Sequence, residues 1–325
     1  MQEVTSPETE RAGVRLLIKR DDLIHPQFGG NKWRKLKYNI EHMLANDIGT
    51  LMTFGGAWSN HIHATAAAGK HFGIDTIGII RGEAGRTPSD TLQFARHCGM
   101  QLFFLDRQQY RLKDQPEVLG RLLERYASDP ADTSILPEGG SNRLAVVGCR
   151  EIVDEIIDEI GSDFEHICCS TGTGATLAGL TCALRDHPDP AINDKQATGF
   201  CALKLPRDPE HRPDTRSQLE QDIDRHIRDN LQTGSNPESD GLHANWQLVT
   251  NYHFGGYARI DEQLVDFMQR FRRQQGIRLD AVYTGKMFYG LLQQIKQGHY
   301  KPGTTIVAVH SGGLQGNRGY RQYGL

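Results

Sequence analysis

Short apolar stretches alternate with helix-length amphipathic stretches along most of this chain, and this alternation constrains the fold most strongly. Apolar runs of strand length are predicted at 14–22, 50–56, 74–80, 101–106, 133–140, 166–170, 198–204 and 304–310. Helical spacing is predicted at 31–47, 60–73, 89–99, 115–128, 144–161, 176–186 and 260–276, and again from about 285. Strands that alternate with helices form βαβ units, so the sequence predicts an α/β fold with mostly parallel sheets.

One segment, 205–246, departs from this pattern because it is rich in Asp, Glu, Arg, Asn and Pro and poor in large apolar residues. Its stretch "SQLEQDIDRHIRDNL" has helical character. We predict a solvated helix followed by a loop.

The overall charge argues against several partners. The formal net charge is −3, which gives no electrostatic basis for binding nucleic acid or an acidic membrane. No apolar run is long enough to cross a bilayer, and the polar start "MQEVTSPETERAG" lacks the apolar core of a signal peptide. The six cysteines form no CxxC pair and are expected to be reduced and mostly buried. A cytoplasmic protein is therefore expected.

A glycine-rich junction, "STGTGATLAG" at 170–179, joins a predicted buried strand to a predicted helix. Free backbone N–H groups at such a helix start bind phosphate well. Gly172 and Gly174 fit a dinucleotide-binding fingerprint, but Leu177 occupies the third glycine position, and no GK[ST] of a Walker A motif follows. The segment is either a phosphate cup of neither standard nucleotide type or an ordinary glycine turn.

A second junction, "GGAWSNHIHATAAAG" at 55–69, also leads from a strand into a helix. Ser59 can cap this helix, and the free N–H groups beside Asn60 and His61 can hold a substrate carboxylate. A metal at His61 and His63 is the weaker alternative, because residues two apart on a helix point to different faces. We predict no metal.

The stretch "FGGNKWRKLKY" at 28–38 contains three lysines, of which Lys32 lies at the predicted helix start. A cation is unfavourable there, and the two preceding glycines let a ligand come close. A partly desolvated lysine near other positive charge has a lowered pKa and attacks carbonyl groups. Lys35 and Lys37 are interpreted as supporting or surface charges.

A reactive lysine and a phosphate cup together match the needs of pyridoxal 5′-phosphate, whose aldehyde forms a Schiff base with lysine. Five motifs then occur in order: "KRDDL…GGNKxRKL", "GGxxSNHxxxxAAAG", "TGTGATLAGL", "VYTGKMxxGL" and "VHSGGLQG". Together they resemble the D-cysteine desulfhydrase / 1-aminocyclopropane-1-carboxylate (ACC) deaminase family, which has the tryptophan-synthase-β-like fold. The resemblance spans about residues 14–320.

The resemblance implies site roles motif by motif. Lys32 matches the Schiff-base lysine, which also moves the proton at Cα, and Asn60 matches the partner of the cofactor's ring hydroxyl. Ser59, Asn60 and His61 match the substrate-carboxylate site. Further matches are the phosphate cup, two active-site tyrosines and the residue facing the pyridine nitrogen: Gly172, Thr173, Gly174, Ala175 and Thr176; Tyr283 and Tyr257; and Thr284.

The residues at two positions distinguish the ACC deaminases from other members of the family that this chain resembles. ACC deaminases typically have Glu where this chain has Thr284, and Leu where it has Ser311. A carboxylate keeps the pyridine nitrogen protonated, which ring opening of the cyclopropane needs, whereas a hydroxyl leaves it largely neutral. The predicted reaction is therefore α,β-elimination on a small, D-configured amino acid, giving pyruvate and ammonia, with sulfide from D-cysteine.

Several alternatives stay open. ACC deamination, D-serine dehydration and D-amino-acid racemisation would use the same residues, and a homologue could bind the cofactor without turnover. A nicotinamide oxidoreductase would leave Lys32 unexplained. Trp58 and His63 differ from residues frequent in the resembling family, which suggests an altered pocket.

The resemblance also implies an arrangement of two three-layer α/β domains with the cofactor in the cleft between them. The small domain is predicted at 43–146, and the large one at 1–42 and 147–325. A homodimer acting on a small amino acid is expected.

Overall fold

The computed structural model describes residues 1–85, 87–206, 216–231 and 245–325. These residues form two separate sheets with helices on both faces. The larger sheet has six strands in the order β1-β2-β10-β7-β8-β9, and the smaller has four in the order β5-β4-β3-β6. Only β1, which pairs with β2, runs antiparallel among the described strands.

Eight of the ten described strands follow the predicted apolar runs, and β1 and β9 do not. The strands are β1 (Gln2–Val4), β2 (Arg15–Lys19), β3 (Thr50–Gly56), β4 (Asp75–Arg81), β5 (Gln101–Leu105), β6 (Thr133–Leu136), β7 (His166–Thr171), β8 (Gln196–Cys201), β9 (Trp246–Val249) and β10 (Thr305–Val309). The predicted α/β class with mostly parallel sheets is confirmed.

The helices lie between these strands and cover both sheets. They are α1 (Pro7–Ala12), α2 (Asn31–Ala45), α3 (Asn60–Phe72), α4 (Asp90–His97), α5 (Arg107–Arg111), α6 (Pro116–Tyr126), α7 (Arg143–Ile160), α8 (Ala175–Arg185), α9 (Pro190–Asn193), α10 (Gln218–Arg228), α11 (Glu262–Gln275) and α12 (Thr284–Lys296).

Each sheet is buried on both faces because successive strand residues point to opposite sides. In β2, Leu17 packs into the core formed with α7 and α8, whereas Leu16 and Ile18 pack against α11 and α12. In β3, Leu51 packs towards α2 and α3, and Met52 packs towards α6. Each sheet is thus the middle of three layers, as predicted.

The predicted domain limits remain a prediction. The breaks at 43 and 147 fall inside α2 and α7, two helices that contact each other. Leu36 and Ile40 of α2 pack into the core of the smaller sheet, although they precede the predicted break.

The polar segment 205–246 is only partly the solvated stretch that we predicted, and 207–215 and 232–244 lie outside the described residues. The helix α10 is present, but Leu219, Ile223 and Ile227 bury one of its faces against α8. Strand β9 and, near the chain start, β1 and α1 were not predicted. Their few apolar residues acquire a buried face only through distant partners.

Candidate active site

All of the predicted site residues except Ala175 and Thr284 line a cleft at the carboxyl ends of both sheets. Strands β7 and β10 of the larger sheet lead into the loops at Gly172 and Ser311, and β3 of the smaller sheet leads into the loop at Ser59. Ligands of open α/β sheets bind at such strand ends. Two adjoining cavities, which together we call the cavity, lie along the cleft and share Lys32, Asn60 and Tyr283 among their lining residues.

The start of α2 fixes Lys32 in this cavity. Gly30, the residue before the helix, has φ +70°, and an added Cβ would lie 2.0 Å from the Ser311 carbonyl oxygen. Only glycine allows this close approach, which brings Lys32 and Ser311 to the same cavity.

Lys32 is half-buried, and its environment favours the neutral amine. Its Nζ lies 3.4 Å from the Gly139 carbonyl oxygen, and none of the described carboxylates pairs with it. Burial, and next the charge of Lys35, lower the pKa of Lys32 from 10.5 to about 7. A neutral amine at neutral pH is a competent nucleophile and base.

The phosphate cup, defined as residues 172–176, connects β7 to α8. Gly174 precedes the helix with φ +86°, and no side chain caps the helix start. The first N–H groups of α8 therefore have no intrahelical partner. Gly172, Thr173, Gly174 and Thr176 line the cavity, whereas Ala175 does not.

Lys35 is a site residue that our sequence interpretation missed. Its side chain is buried, and Nζ donates to the Gly139 carbonyl at 3.2 Å, to Ser141 Oγ at 3.2 Å and to Thr173 Oγ1 at 3.3 Å. A surface lysine was one of the two interpretations and is wrong. Lys37, by contrast, forms an ion pair with Glu151 at 2.6 Å on the helix exterior.

The second helix start is built as predicted. Ser59 precedes α3, and its Oγ accepts a hydrogen bond from the Ile62 N–H at 3.3 Å. Asn60 Oδ1 accepts from Gln315 Nε2 at 3.0 Å. His61 is buried, its Nε2 lies 2.8 Å from Thr53 Oγ1, and burial holds its pKa well below the ordinary value. His61 is therefore neutral at neutral pH.

Two tyrosines close one side of the cavity. Tyr283 precedes α12, and its ring lies within contact distance of Gly172. Tyr257 is 39% exposed, and its ring packs edge-on against Tyr283 with centroids 6.2 Å apart. Burial, followed by the neighbouring Tyr257, raises the pKa of Tyr283 well above its usual value. Both phenols are protonated at neutral pH.

Thr284 and Ser311 lie differently with respect to the cavity. Ser311 lines it, but Thr284 is fully buried and does not. Thr284 Oγ1 donates to the Asp280 carboxylate at 2.8 Å and accepts from the Asp280 N–H at 2.8 Å. The Thr284 hydroxyl is thus used within the turn that begins α12.

Neither of the two unusual residues lines the cavity. Trp58 is 41% exposed and packs near Gly319. His63 stacks on Phe94 at 3.9 Å, and burial lowers its pKa to about 4. Its Nε2 lies 3.3 Å from Gln27 Oε1, and the Gln27 side chain does reach the cavity.

Comparisons with known proteins identify the family. A sequence profile of the family described as "Pyridoxal-phosphate dependent enzyme" matches residues 4–312. The chain belongs to this family. It is an enzyme family whose cofactor is pyridoxal phosphate, as the motifs predict.

Individual relatives show which members of the family this chain is similar to. A Pyrococcus furiosus protein provisionally named 1-aminocyclopropane-1-carboxylate deaminase is 28% identical over 95% of this chain and 87% of its own length. An Arabidopsis thaliana mitochondrial protein, named a bifunctional D-cysteine desulfhydrase/1-aminocyclopropane-1-carboxylate deaminase, is 28% identical over 94% of this chain and 73% of its own. A crystal structure titled as an ACC deaminase homologue has a TM-score of 0.79 at 26% identity, covering 99% and 91%.

The residues of the cavity fit pyridoxal phosphate. The uncapped start of α8 and the buried Nζ of Lys35, a hydrogen-bond donor whose pKa burial lowers, converge on Thr173, which suits a phosphate group. Lys32, with its lowered pKa, suits an aldehyde. Asn60 and Ser311 line the same cavity and can donate to polar atoms of the ring. We therefore assign these residues to hold the cofactor as a hypothesis for test.

One finding concerns the rest of the molecule. No helix in the described ranges is both long and apolar enough to cross a membrane.

Proposed function

We propose that the protein catalyses α,β-elimination on a small amino acid of D configuration, with D-cysteine as the representative substrate. The products are pyruvate, ammonia and sulfide. The single observation that carries this proposal is Lys32: a lysine with a pKa lowered to about 7 lies in one cavity with the phosphate cup and the start of α3. Bound pyridoxal phosphate supplies an electron-withdrawing ring that stabilises negative charge at Cα.

The chain's own residues divide the work. The N–H groups at the start of α3, with Ser59 and His61, bind the substrate carboxylate, because a helix N-terminus attracts anions. Lys32 removes the α-proton. The Cβ–S bond then breaks with both electrons remaining on sulfur, and water hydrolyses the released aminoacrylate. Tyr283 and Tyr257, both protonated, shield the reacting atoms from solvent and donate to the leaving sulfur.

Elimination is favoured over cyclopropane ring opening by the hydroxyl residues at 284 and 311. Because the Thr284 hydroxyl already donates to Asp280, we assign the partner of the pyridine nitrogen to Ser311, which lines the cavity. A hydroxyl there does not hold a proton on the nitrogen as a carboxylate would. A neutral ring withdraws electrons less strongly than a protonated one, but it is sufficient for elimination when a good leaving group departs from Cβ.

ACC deamination is the second candidate, and the names of the relatives favour it. It would yield 2-oxobutanoate and ammonia. D-serine dehydration needs the same residues and a poorer leaving group.

The test is release of 2-oxo acid and ammonia by the yellow, cofactor-loaded protein from D-cysteine, L-cysteine and ACC. We expect the protein to release sulfide and pyruvate from D-cysteine and, more slowly, from L-cysteine. We expect no release of 2-oxo acid from ACC. Lys32→Ala should abolish release, and Lys37→Ala should leave it unchanged. Faster release from ACC than from D-cysteine would replace the proposal with the second candidate. No release from either cysteine would refute it.

We also propose a cytoplasmic homodimer. Light scattering should then give twice the 36.4 kDa chain mass. A mass equal to one chain would contradict the dimer.

A further inference from the structure

A positively charged pocket adjoins the part of the cavity that we assign to substrate. We call it the basic pocket, and its lining residues are Arg81, Arg107, Tyr110, Arg111, Lys113 and Glu138. Two of these residues, Arg81 and Glu138, also line the cavity beside Ser59 and Tyr283. The basic pocket and the substrate part of the cleft are therefore neighbours that share a wall.

Arg81 stands at this shared wall because of its place in the smaller sheet. It is the last residue of β4 and is paired in register with Gly56, the last residue of β3. Gly56 begins the loop that leads to Ser59. A Cβ added at Gly56 would lie 3.6 Å from a terminal guanidinium nitrogen of Arg81. The guanidinium thus lies over the loop that binds the substrate carboxylate.

The N–H groups of the Arg81 guanidinium are available to bind a ligand. Among the described residues it donates no hydrogen bond and has no carboxylate within ion-pair distance. The Arg81 Cζ atom lies over the ring of Tyr110, 5.9 Å from the ring centroid. Arg81 is exposed and its guanidinium is open to a ligand, whereas the buried Arg34 pairs with Asp21 at 3.1 Å.

The surrounding charges reinforce an anion site. Arg107 and Arg111 are exposed, and neither forms an ion pair within the described ranges. Lys113 divides its charge between Asp114 at 2.8 Å and Glu138 at 3.4 Å. A solvated helix face explains Arg107 and Arg111 by themselves. Arg81 is exposed as well, but it ends β4 and lines both the basic pocket and the substrate part of the cavity, which Arg107 and Arg111 do not.

Resting on the proposed function, we propose that substrates with a second anionic group beyond Cβ, of the carboxylate or phosphate type, are turned over in preference to D-cysteine, and that Arg81 binds this group. A planar guanidinium binds such oxyanions through two parallel hydrogen bonds. The elimination then releases an anionic thiol or phosphate. The α-proton goes to Lys32, the bond from Cβ to sulfur or oxygen breaks with both electrons on the leaving atom, and one water completes pyruvate and ammonia.

The first arm measures binding without turnover. D-glutamate and D-glutamine have the same shape but differ in charge, and neither has a leaving group at Cβ. Calorimetry on the holoenzyme should show D-glutamate binding more tightly than D-glutamine, and Arg81→Met should reduce this preference about ten- to a hundredfold. Arg81→Lys should restore part of it. The control Arg125→Met removes an arginine that also lies on a tyrosine ring, 5.3 Å from the Tyr126 centroid, but away from the cleft.

The second arm measures turnover with matched substrates in both configurations. Pyruvate release is compared for S-carboxymethylcysteine, O-phosphoserine and neutral S-ethylcysteine. The ratio of kcat/KM for an anionic over the neutral substrate should exceed unity and fall in Arg81→Met through KM. A carboxylated or a phosphorylated substrate giving the higher ratio identifies the group.

The two arms separate the inference from the function on which it rests. If no substrate yields pyruvate but Arg81→Met still removes the preference for glutamate, the elimination is refuted and the anion site stands. If pyruvate forms but wild type shows no preference for anionic ligands, or Arg81→Met leaves that preference intact, the inference is overturned.

Discussion

Replacing Lys32 by methionine is expected to stabilise the cofactor-free protein near neutral pH. Burial lowers the pKa of Lys32 to about 7 in the folded protein, and unfolding returns it to the ordinary value of 10.5. Between these two values the unfolded chain binds a proton that the folded protein does not, so the free energy of unfolding rises with pH. The destabilisation is complete below about pH 7 and has disappeared above about pH 10.5.

The size of the effect follows from the two pKa values. One pKa unit corresponds to about 1.4 kcal/mol, so the upper limit for Lys32 is about 5 kcal/mol. Because the side chain is half-buried and faces the cavity, solvent reduces this penalty, and we expect about 2–4 kcal/mol. Methionine has a similar length and no charge. The free energy of unfolding of Lys32→Met should therefore exceed that of the wild type by about 2–4 kcal/mol near pH 6, and this difference should fall below about 1 kcal/mol near pH 10.

Urea denaturation of the stripped protein at several pH values measures this directly. Lys37→Met is the control, because its ion pair with Glu151 raises the pKa of Lys37 and gives no buried charge to relieve. Destabilisation by Lys32→Met near neutral pH would refute the claim that Lys32 is desolvated. A gain in the free energy of unfolding that does not shrink as pH rises would refute it as well.

Three further changes test the structure around the site. Lys35→Met should raise the dissociation constant for pyridoxal phosphate about ten- to a hundredfold in a spectroscopic titration, because a buried hydrogen-bond donor beside the phosphate cup is lost; an effect no larger than that of Lys37→Met would contradict this role. Gly30→Ala should lower the free energy of unfolding by at least about 2 kcal/mol, because the new Cβ would meet the Ser311 carbonyl at 2.0 Å and φ is +70°; a loss below about 0.5 kcal/mol would contradict the close approach. Lys286→Met should lower the free energy of unfolding by about 1–2 kcal/mol in urea denaturation, because three carbonyls at 2.7–3.5 Å from Nζ lose their donor, while removal of a charge whose pKa burial lowers to about 8 offsets part of the loss; an unchanged midpoint would contradict the structural role of these hydrogen bonds.

Local signals in the sequence predicted the segments around β3 and α3 well. Two glycines end the strand, Ser59 caps the helix and Gly73 closes it, so each boundary depends on neighbouring residues alone. The same reasoning placed Lys32 at the start of α2 and the phosphate cup at the start of α8.

Features that depend on distant contacts could not be predicted in this way. Lys35 differs from Lys37 only in which side of α2 it occupies, and its burial requires the turn at Gly139 and the loop at Thr173 to pack over it. Thr284 matches a cavity residue by motif, but its hydroxyl bonds with Asp280 four residues earlier. Arg81 carries no motif at all.

The most direct test of the central claim locates the lysine that holds the cofactor. The yellow holoenzyme is reduced with borohydride, digested, and its peptides are mapped by mass spectrometry. We predict that the phosphopyridoxyl group lies on Lys32, at full occupancy, and that Lys32→Ala carries none. A label on Lys35, on Lys286 or on any lysine outside the cleft would contradict the account.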